Sequence, residues 1–132
     1  MTAEITIQIR WRDMDAYGHV NNAVYLNYLE ECRDRMVGTL MGAQDAWDFV
    51  LAHVGIDYKS ELTQADGEIT VRCTVVGFGG ASVRTRESIS KADGTVAADA
   101  EAVIVPRDRE RGRSRPLTDV ERAMLQDAID AG

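Results

Sequence analysis

A polar segment near the start of the chain contains most of the side chains that could do chemistry. Residues 11–22 hold two carboxylates, a glycine, a histidine and two asparagines, and an amphipathic helix is predicted directly after them. A carboxylate can activate a water molecule or attack a carbonyl carbon itself. The first turn of a helix presents unpaired N–H groups and the positive end of its dipole, which can stabilise an oxyanion. The segment therefore predicts acyl-transfer chemistry at a helix N-terminus.

The side chains of this segment also have structural interpretations. Asp15 could cap a turn, as loop aspartates commonly do. Asp13 is interpreted as a structural residue, paired with Arg10, Arg12 or Arg33. Gly18 lets the chain bend and lets a ligand approach the backbone closely.

A strand and a long helix flank the segment and would position it. Alternating isoleucines predict a half-buried strand over residues 4–10. A helix is predicted from about Asn22 to Leu40, with Asn21 or Asn22 as its N-cap and with Gly38 and Gly42 as stop positions. Its apolar stripe recurs every three or four residues and consists of Tyr25, Tyr28, Leu29, Cys32, Met36 and Leu40, while the charged positions Glu30, Glu31, Arg33, Asp34 and Arg35 lie largely off it.

The rest of the chain is predicted to be mostly strands. Residues 42–51 are ambiguous, with a short helical turn around Trp47 and Phe49 as one interpretation. Alternating patterns predict strands over residues 54–58, 69–75, 81–90 and 95–105, separated by hairpin turns at Asp66-Gly67 and Asp93-Gly94 and by a bulge or tight bend at residues 77–80. Residues 106–116 form a charged linker, and a final helix begins near Leu117, with Thr118 and Glu121 as a capping box.

This order of elements predicts a single α+β domain over residues 1–132. Five antiparallel strands would wrap around one long helix, and a short C-terminal helix would follow. Because part of the sheet edge would stay exposed, a homo-oligomer that extends the sheet is expected, as a dimer or a tetramer.

Composition limits the classes of partner. The formal net charge of −7 argues against nucleic acid as the main partner, because phosphate backbones require a basic surface. No apolar run is long enough to span a membrane, and residues 1–10 have no signal-peptide pattern. Cys32 and Cys73 lack metal-ligand spacing and are interpreted as buried free thiols, which fits a cytoplasmic protein.

The stretch from Asp13 to Asn22, followed by Tyr25, Tyr28, Glu30 or Glu31, and Arg33, resembles the motif of the 4-hydroxybenzoyl-CoA thioesterase-like family. The resemblance implies a hotdog fold and hydrolysis of acyl-CoA or acyl-carrier-protein thioesters. It implies that CoA enters as part of the substrate and that no metal or other cofactor is needed. It also implies an active site formed at a dimer interface.

The family's functional positions transfer to particular residues of this chain. The resemblance implies catalysis by Asp15, an oxyanion donor in the backbone N–H of Asn22, and His19 as a further candidate, with a structural role as its alternative. The residues expected to contact the substrate are Tyr17, Gly18, Val20, Tyr25, Ser82 and Arg84. Ser82 is equally well interpreted as a surface hydroxyl. The arginines at positions 107–115 could meet CoA phosphates or belong to a solvated linker.

The sequence departs from the family's pattern in two places. Residues 16–18 are Ala-Tyr-Gly, where the 4-hydroxybenzoyl enzyme has Pro-Ala-Gly, so an aliphatic acyl group is favoured over a benzoyl group. Plant acyl-carrier-protein thioesterases have Asp, Asn and His in this stretch. Asp15 and His19 match their Asp and His, but Tyr17 stands where they have the Asn, and this departure bears on the role of His19. A non-catalytic acyl-CoA or carrier-protein binding module is the main alternative to an enzyme. A dehydratase or hydratase of the same fold is a third, but its usual Asp and His motif is not found.

Overall fold

The structure, a computed structural model, describes residues 1–41 and 48–132. Its strands and helices, in chain order, are β1 (Thr2–Gln8), α1 (Asn22–Met41), β2 (Phe49–Tyr58), β3 (Glu68–Phe78), β4 (Val83–Lys91), β5 (Val96–Asp108), β6 (Arg113–Ser114) and α2 (Asp119–Ala131). Two short 3-10 turns, Trp11–Asp13 and Gln64–Asp66, lie in the connections.

The sheet is antiparallel throughout, and its strand order is β1-β3-β4-β5-β2. The two-residue strand β6 pairs with the end of β5 and adds a sixth, very short strand. The predicted architecture is therefore confirmed: a five-stranded antiparallel sheet, one long helix and a short C-terminal helix.

The helix α1 packs on the inner face of the sheet, against β1 and β3. All but one member of its predicted stripe are buried, and Leu40 is partly buried. The Cys32 thiol is fully buried and lies within hydrogen-bonding distance of the carbonyls of Val71 and Ala3, at 3.3 and 3.5 Å. The prediction that Gly38 stops the helix is wrong, since α1 continues through it to Met41. Gly42 lies outside the described residues.

Arg33 was expected to lie off the apolar stripe of α1, but it is buried. Its guanidinium pairs with the equally buried Glu87 on β4, at 2.7 and 2.8 Å. The Thr85 hydroxyl and the Cys73 thiol also donate to that carboxylate, at 2.7 and 3.5 Å. Burial by itself would lower the pKa of Arg33, but the hydrogen bonds and charge of Glu87 raise it. At this position the core therefore contains a hydrogen-bonded ion pair where the sequence pattern predicted only apolar side chains.

Strand β2 begins earlier than its alternating pattern predicted. It starts at Phe49 instead of Val54. The helical turn predicted around Trp47 and Phe49 is therefore wrong for Phe49, which lies in the strand. Trp47 lies outside the described residues. The turn at Asp66-Gly67 is not a hairpin, because β2 pairs with β5 whereas β3 pairs with β1 and β4. The pattern could not reveal this crossover because it contains no information on which strands become neighbours.

The charged segment after β5 is more ordered than a linker. Strand β5 runs on to Asp108, and the chain returns through Gly112 (φ +65°), so that β6 pairs with β5. The capping box at the start of α2 is confirmed: the Thr118 hydroxyl accepts from the Glu121 N–H, and the Glu121 carboxylate accepts from the Thr118 N–H. The predicted bulge near Gly77 is also confirmed by a register shift between Val75 and Gly77.

Candidate active site

Asp13 anchors the polar segment to α1. Its carboxylate is buried and accepts hydrogen bonds from the backbone and side chain of Arg10, at 3.0 and 3.1 Å, and from the Tyr28 hydroxyl at 2.7 Å. Burial opposes its ionisation, but these hydrogen bonds lower its pKa. The Asp13 carbonyl accepts from the Asn21 N–H at 2.9 Å. The predicted structural role of Asp13 is thus confirmed, with Arg10 as its partner.

Asp15 lies at the base of a tight turn that ends at His19. Its N–H donates to the His19 carbonyl at 2.7 Å, and its Oδ1 accepts from the Tyr17 N–H at 2.8 Å and the His19 N–H at 3.3 Å. Gly18 has φ +85°, a backbone conformation that residues with a side chain rarely adopt, so the turn needs glycine there. In the described part of the chain no hydrogen bond reaches Oδ2. One carboxylate oxygen therefore caps the turn, and the other remains available for chemistry.

The helix α1 begins immediately after this turn. The Asn21 side chain accepts from the Ala23 N–H, and the Asn21 carbonyl accepts from the Val24 N–H, both at 2.8 Å, so Asn21 is the capping residue. Asn22 is the first residue of the helix, and its N–H has no acceptor within the helix. The N–H that the family resemblance assigns to the oxyanion is thus left open at the positive end of the helix dipole.

A cavity of about 340 Å³ lies where the turn meets the start of α1. It brings together five residues that the sequence had singled out: Asp15, His19, Val20, Asn22 and Tyr25. Its other lining residues come from the end of β2 and the segment after it: Tyr58, Lys59, Ser60 and Glu61. Sequence analysis missed these four, because nothing in the local pattern indicates that β2 ends beside the start of α1.

Two tyrosines hold the opposite wall of this cavity in place. The Tyr25 hydroxyl donates to the Ser60 carbonyl at 3.2 Å and accepts from the Leu62 N–H at 3.0 Å. The Tyr58 hydroxyl donates to the Asn22 carbonyl at 2.9 Å, and the two rings meet edge to face at 5.0 Å. Burial raises the pKa of Tyr25, so its hydroxyl stays neutral. Both tyrosines therefore fix the wall against the helix.

The His19 ring lies close to a carboxylate that is distant in the sequence. Its Nε2 lies 3.2 Å from Oε2 of Glu61, and both side chains are substantially exposed. The residues next to His19 and Glu61 are also joined, because the Val20 N–H donates to the Leu62 carbonyl at 2.7 Å. The rim of the cavity therefore carries a histidine and a carboxylate besides Asp15.

Four of the predicted substrate contacts do not line this cavity. Gly18 lies in the turn itself, and the Tyr17 side chain is 85% exposed. Ser82 and Arg84 lie at the other end of the sheet, because Val83 pairs with Ile104 whereas Tyr58 pairs with Ala98. Within one chain, neither residue is near Asp15, and their assignment to the substrate stays a prediction.

In the described residues, no group of three or more His, Cys, Asp or Glu side chains could hold a metal ion. Likewise, none of the helices in that part of the chain is long and apolar enough to cross a membrane.

Comparison with known proteins identifies the class. Residues 9–129 match the thioesterase-like superfamily. Because this match covers nearly the whole chain, the chain belongs to the thioesterase-like superfamily, and it is an enzyme of the thioesterase class. No protein with a curated description matches the chain.

Solved structures agree with this assignment. The chain is similar to a thioesterase from Thermus thermophilus, crystallised with coenzyme A and Zn, at 30% identity, with 97% of this chain and 95% of that chain covered and a TM-score of 0.87. It is similar to YbaW, a probable thioesterase from Escherichia coli, at 27% identity, with 96% and 98% coverage and a TM-score of 0.81.

A third structure shares the fold alone. The 1,4-dihydroxy-2-naphthoyl-CoA thioesterase Slr0204 from Synechocystis is 20% identical, with 96% and 97% coverage and a TM-score of 0.79. These structures confirm the hotdog thioesterase fold. The narrower resemblance to 4-hydroxybenzoyl-CoA thioesterases stays a prediction.

Proposed function

We propose that the protein hydrolyses an acyl-CoA or acyl-carrier-protein thioester to the free acid and the thiol, with Asp15 as the reacting carboxylate. The observation that supports this most directly is that Asp15 and the first residue of α1, Asn22, line the same cavity. An oxygen of the thioester carbonyl bound by the Asn22 N–H would gain stabilisation as its negative charge develops.

Asp15 could act by either of two routes, and each accounts for every bond and proton. As a general base, it takes a proton from water, the water oxygen bonds to the acyl carbon, the C–S bond breaks, and the proton goes to the departing thiolate. As a nucleophile, it bonds to the acyl carbon and expels the thiolate, and water then hydrolyses the mixed anhydride. After multiple turnovers in ¹⁸O-water, label in the Asp15 carboxylate would establish the nucleophilic route, since it enters only when water attacks the anhydride at the Asp15 carboxyl carbon.

An aliphatic acyl group is the substrate that we favour, because Ala16 and Tyr17 replace the Pro-Ala of the benzoyl-specific enzyme. We also infer a homodimer or homotetramer in the cytoplasm. The two buried free thiols, Cys32 and Cys73, fit a reducing compartment. No metal or other cofactor is needed by either route.

A screen of short, long and aromatic acyl-CoAs tests the proposal, with thiol release as the readout. Asp15→Asn should lower kcat by about 10²–10⁴-fold, the usual contribution of a general base. Asp93→Asn is the matched control, because the Asp93 carboxylate caps a turn in the same way and lies outside the cavity. Near-normal turnover by Asp15→Asn would leave Asp15 as a turn cap only.

A further inference from the structure

The proposed oxyanion donor, the Asn22 N–H, lies at an exposed helix end. Asn22 and its two neighbours, Asn21 and Ala23, are all exposed, and the N–H groups of a first helical turn lack the bonds that hold the helix interior. A donor stabilises a developing oxyanion best when its position is fixed before the reaction. The position of the Asn22 N–H therefore depends on contacts that are made from outside α1.

Two hydrogen bonds restrain the backbone around Asn22. One comes from the polar segment, where the Asp13 carbonyl accepts from the Asn21 N–H at 2.9 Å. The other comes from the sheet, where the Tyr58 hydroxyl donates to the Asn22 carbonyl, also at 2.9 Å. Among the residues that the structure describes, no second hydrogen bond joins β2 to α1. Tyr58 is thus the direct link between this edge strand and the residue that carries the oxyanion donor.

Tyr58 is itself held in place by the sheet. Its backbone pairs with β5, and the N–H groups of Lys59 and Ser60 both donate to the Ala97 carbonyl, at 2.8 and 3.1 Å. Its ring meets the ring of Tyr25 edge to face at 5.0 Å. Burial raises the pKa of Tyr58, so its hydroxyl keeps the proton that it donates. A rigid strand therefore presents a hydrogen-bond donor to the start of α1.

We propose that Tyr58 is a positioning residue for hydrolysis, because its hydroxyl fixes Asn22 beside the cavity that Asn22 shares with Asp15. This inference rests on the proposed function and adds a residue of β2 to it. The hydroxyl bonds to the protein backbone, so its loss should act on the step in which the oxyanion forms. Substrate binding should change little in Tyr58→Phe, because the ring that lines the cavity is retained.

The first test measures thiol release from an acyl-CoA. Tyr58→Phe should lower kcat about tenfold with KM little changed, because a small displacement of the donor weakens an interaction made in the transition state. The matched control is Thr39→Val, since the Thr39 hydroxyl also donates to a carbonyl of α1 at 2.9 Å, that of Arg35, and lies outside the cavity. Thr39→Val should keep the wild-type kcat. A Tyr58→Phe variant with wild-type kcat, or with a raised KM alone, would overturn the inference.

The second test distinguishes positioning of the donor from general support of the cavity. It uses an acyl-CoA analogue with a methylene group in place of the thioester sulfur and fluorine atoms beside the carbonyl, which readily forms a tetrahedral hydrate. Tyr58→Phe should bind this analogue about tenfold more weakly than the wild type does. It should bind an S-alkyl-CoA of the same chain length, which has no carbonyl at the reacting position, as tightly as the wild type. Equal losses of affinity for both compounds would contradict a positioning role.

Failure of this inference and failure of the proposed function give different results. If the wild type releases no thiol from any acyl-CoA, the proposed function fails. If the wild type is active and Asp15→Asn is inactive, but Tyr58→Phe keeps the wild-type kcat, only the role of Tyr58 is overturned. Urea unfolding of Tyr58→Phe and Thr39→Val checks that both variants are folded under the assay conditions.

Discussion

Asp15 and Asp93 cap their turns in the same way: each accepts, through Oδ1 and at 2.8 Å, the backbone N–H of the residue two positions later. The two carboxylates differ in surroundings. Asp15 lines the cavity at the start of α1, whereas Asp93 lies in the exposed hairpin turn between β4 and β5. Comparing substitutions at the two positions therefore distinguishes the contribution of an aspartate to a turn from its contribution to substrate hydrolysis.

This relationship predicts how substitutions at Asp15 affect stability. Asn can still cap the turn, so Asp15→Asn should unfold at nearly the wild-type urea concentration, as Asp93→Asn should. Asp15→Ala loses the cap and should lower the free energy of unfolding by roughly 1 kcal/mol, the net contribution of a hydrogen bond. A strongly destabilised Asp15→Asn variant would contradict this, and its lost activity would then reflect lost folding.

The buried ion pair predicts a strong coupling between Arg33 and Glu87. Arg33→Met leaves the Glu87 carboxylate buried without its cation, which should lower the free energy of unfolding by about 3–5 kcal/mol. The double variant Arg33→Met/Glu87→Leu removes both charges and should recover most of that loss. Urea unfolding of the wild type, both single variants and the double variant measures the coupling. Additive effects of the two single substitutions would show that the pair is not coupled.

Acid should destabilise the fold through Asp13 and Glu121. Hydrogen bonds lower the pKa of Asp13 despite its burial, and the hydrogen bonds from Arg115 lower that of Glu121. Each therefore contributes stability above its ordinary pKa, of 3.8 and 4.5, and loses it as the pH falls through the folded value. Asp34 acts in the opposite direction, because burial and the nearby Glu30 raise its pKa.

The net expectation is that the free energy of unfolding falls as the pH is lowered from about 5 to 3. Asp13→Asn should cost about 2 kcal/mol at pH 7, because it replaces charged hydrogen bonds with neutral ones. It should also flatten the pH dependence below pH 5. Urea titrations at several pH values measure both effects, and a variant with the full wild-type slope would exclude Asp13 as a source of acid sensitivity.

The two cysteines should be unreactive in the native protein. Burial raises the pKa of Cys32 to about 11, and burial together with the charge of Glu87 raises that of Cys73 further. Because the thiolate is the reactive form, a disulfide reagent at pH 8 should label neither thiol until urea unfolds the chain. Both should then react, and at intermediate urea the labelling rate should follow the unfolded fraction. Rapid labelling of the folded protein would contradict the buried positions.

Much of the architecture follows from periodicity in the sequence. The stripe of α1 and the alternating strands predict the sheet and its helix, because these patterns reflect which face each residue buries. The burial of Arg33 and Glu87 escaped prediction because a charged side chain is interpreted as exposed unless its partner, distant in the sequence, is known. The bounds of β2 were missed because its first half, from Phe49 to His53, does not alternate clearly.

The candidate site was predictable only on one side. Asp15, His19, Val20, Asn22 and Tyr25 are close in the sequence, and a turn followed by a helix brings them together. The wall formed by Tyr58 and residues 59–61 depends on β2 pairing with β5 at the sheet edge, which no local pattern contains. Ser82 and Arg84 were predicted to contact the substrate, and their distance from Asp15 within one chain emerged only from the strand register.

The bonds of Tyr25 have a consequence for how the molecule fluctuates. Its hydroxyl joins the first turn of α1 to both Ser60 and Leu62, and the Leu62 carbonyl in turn holds the Val20 N–H. Helix ends normally fray on their own, but here fraying would break all of these bonds together. The start of the helix, the Asp15 turn and the segment after β2 should therefore open as one cooperative unit, with a common rate of amide hydrogen exchange.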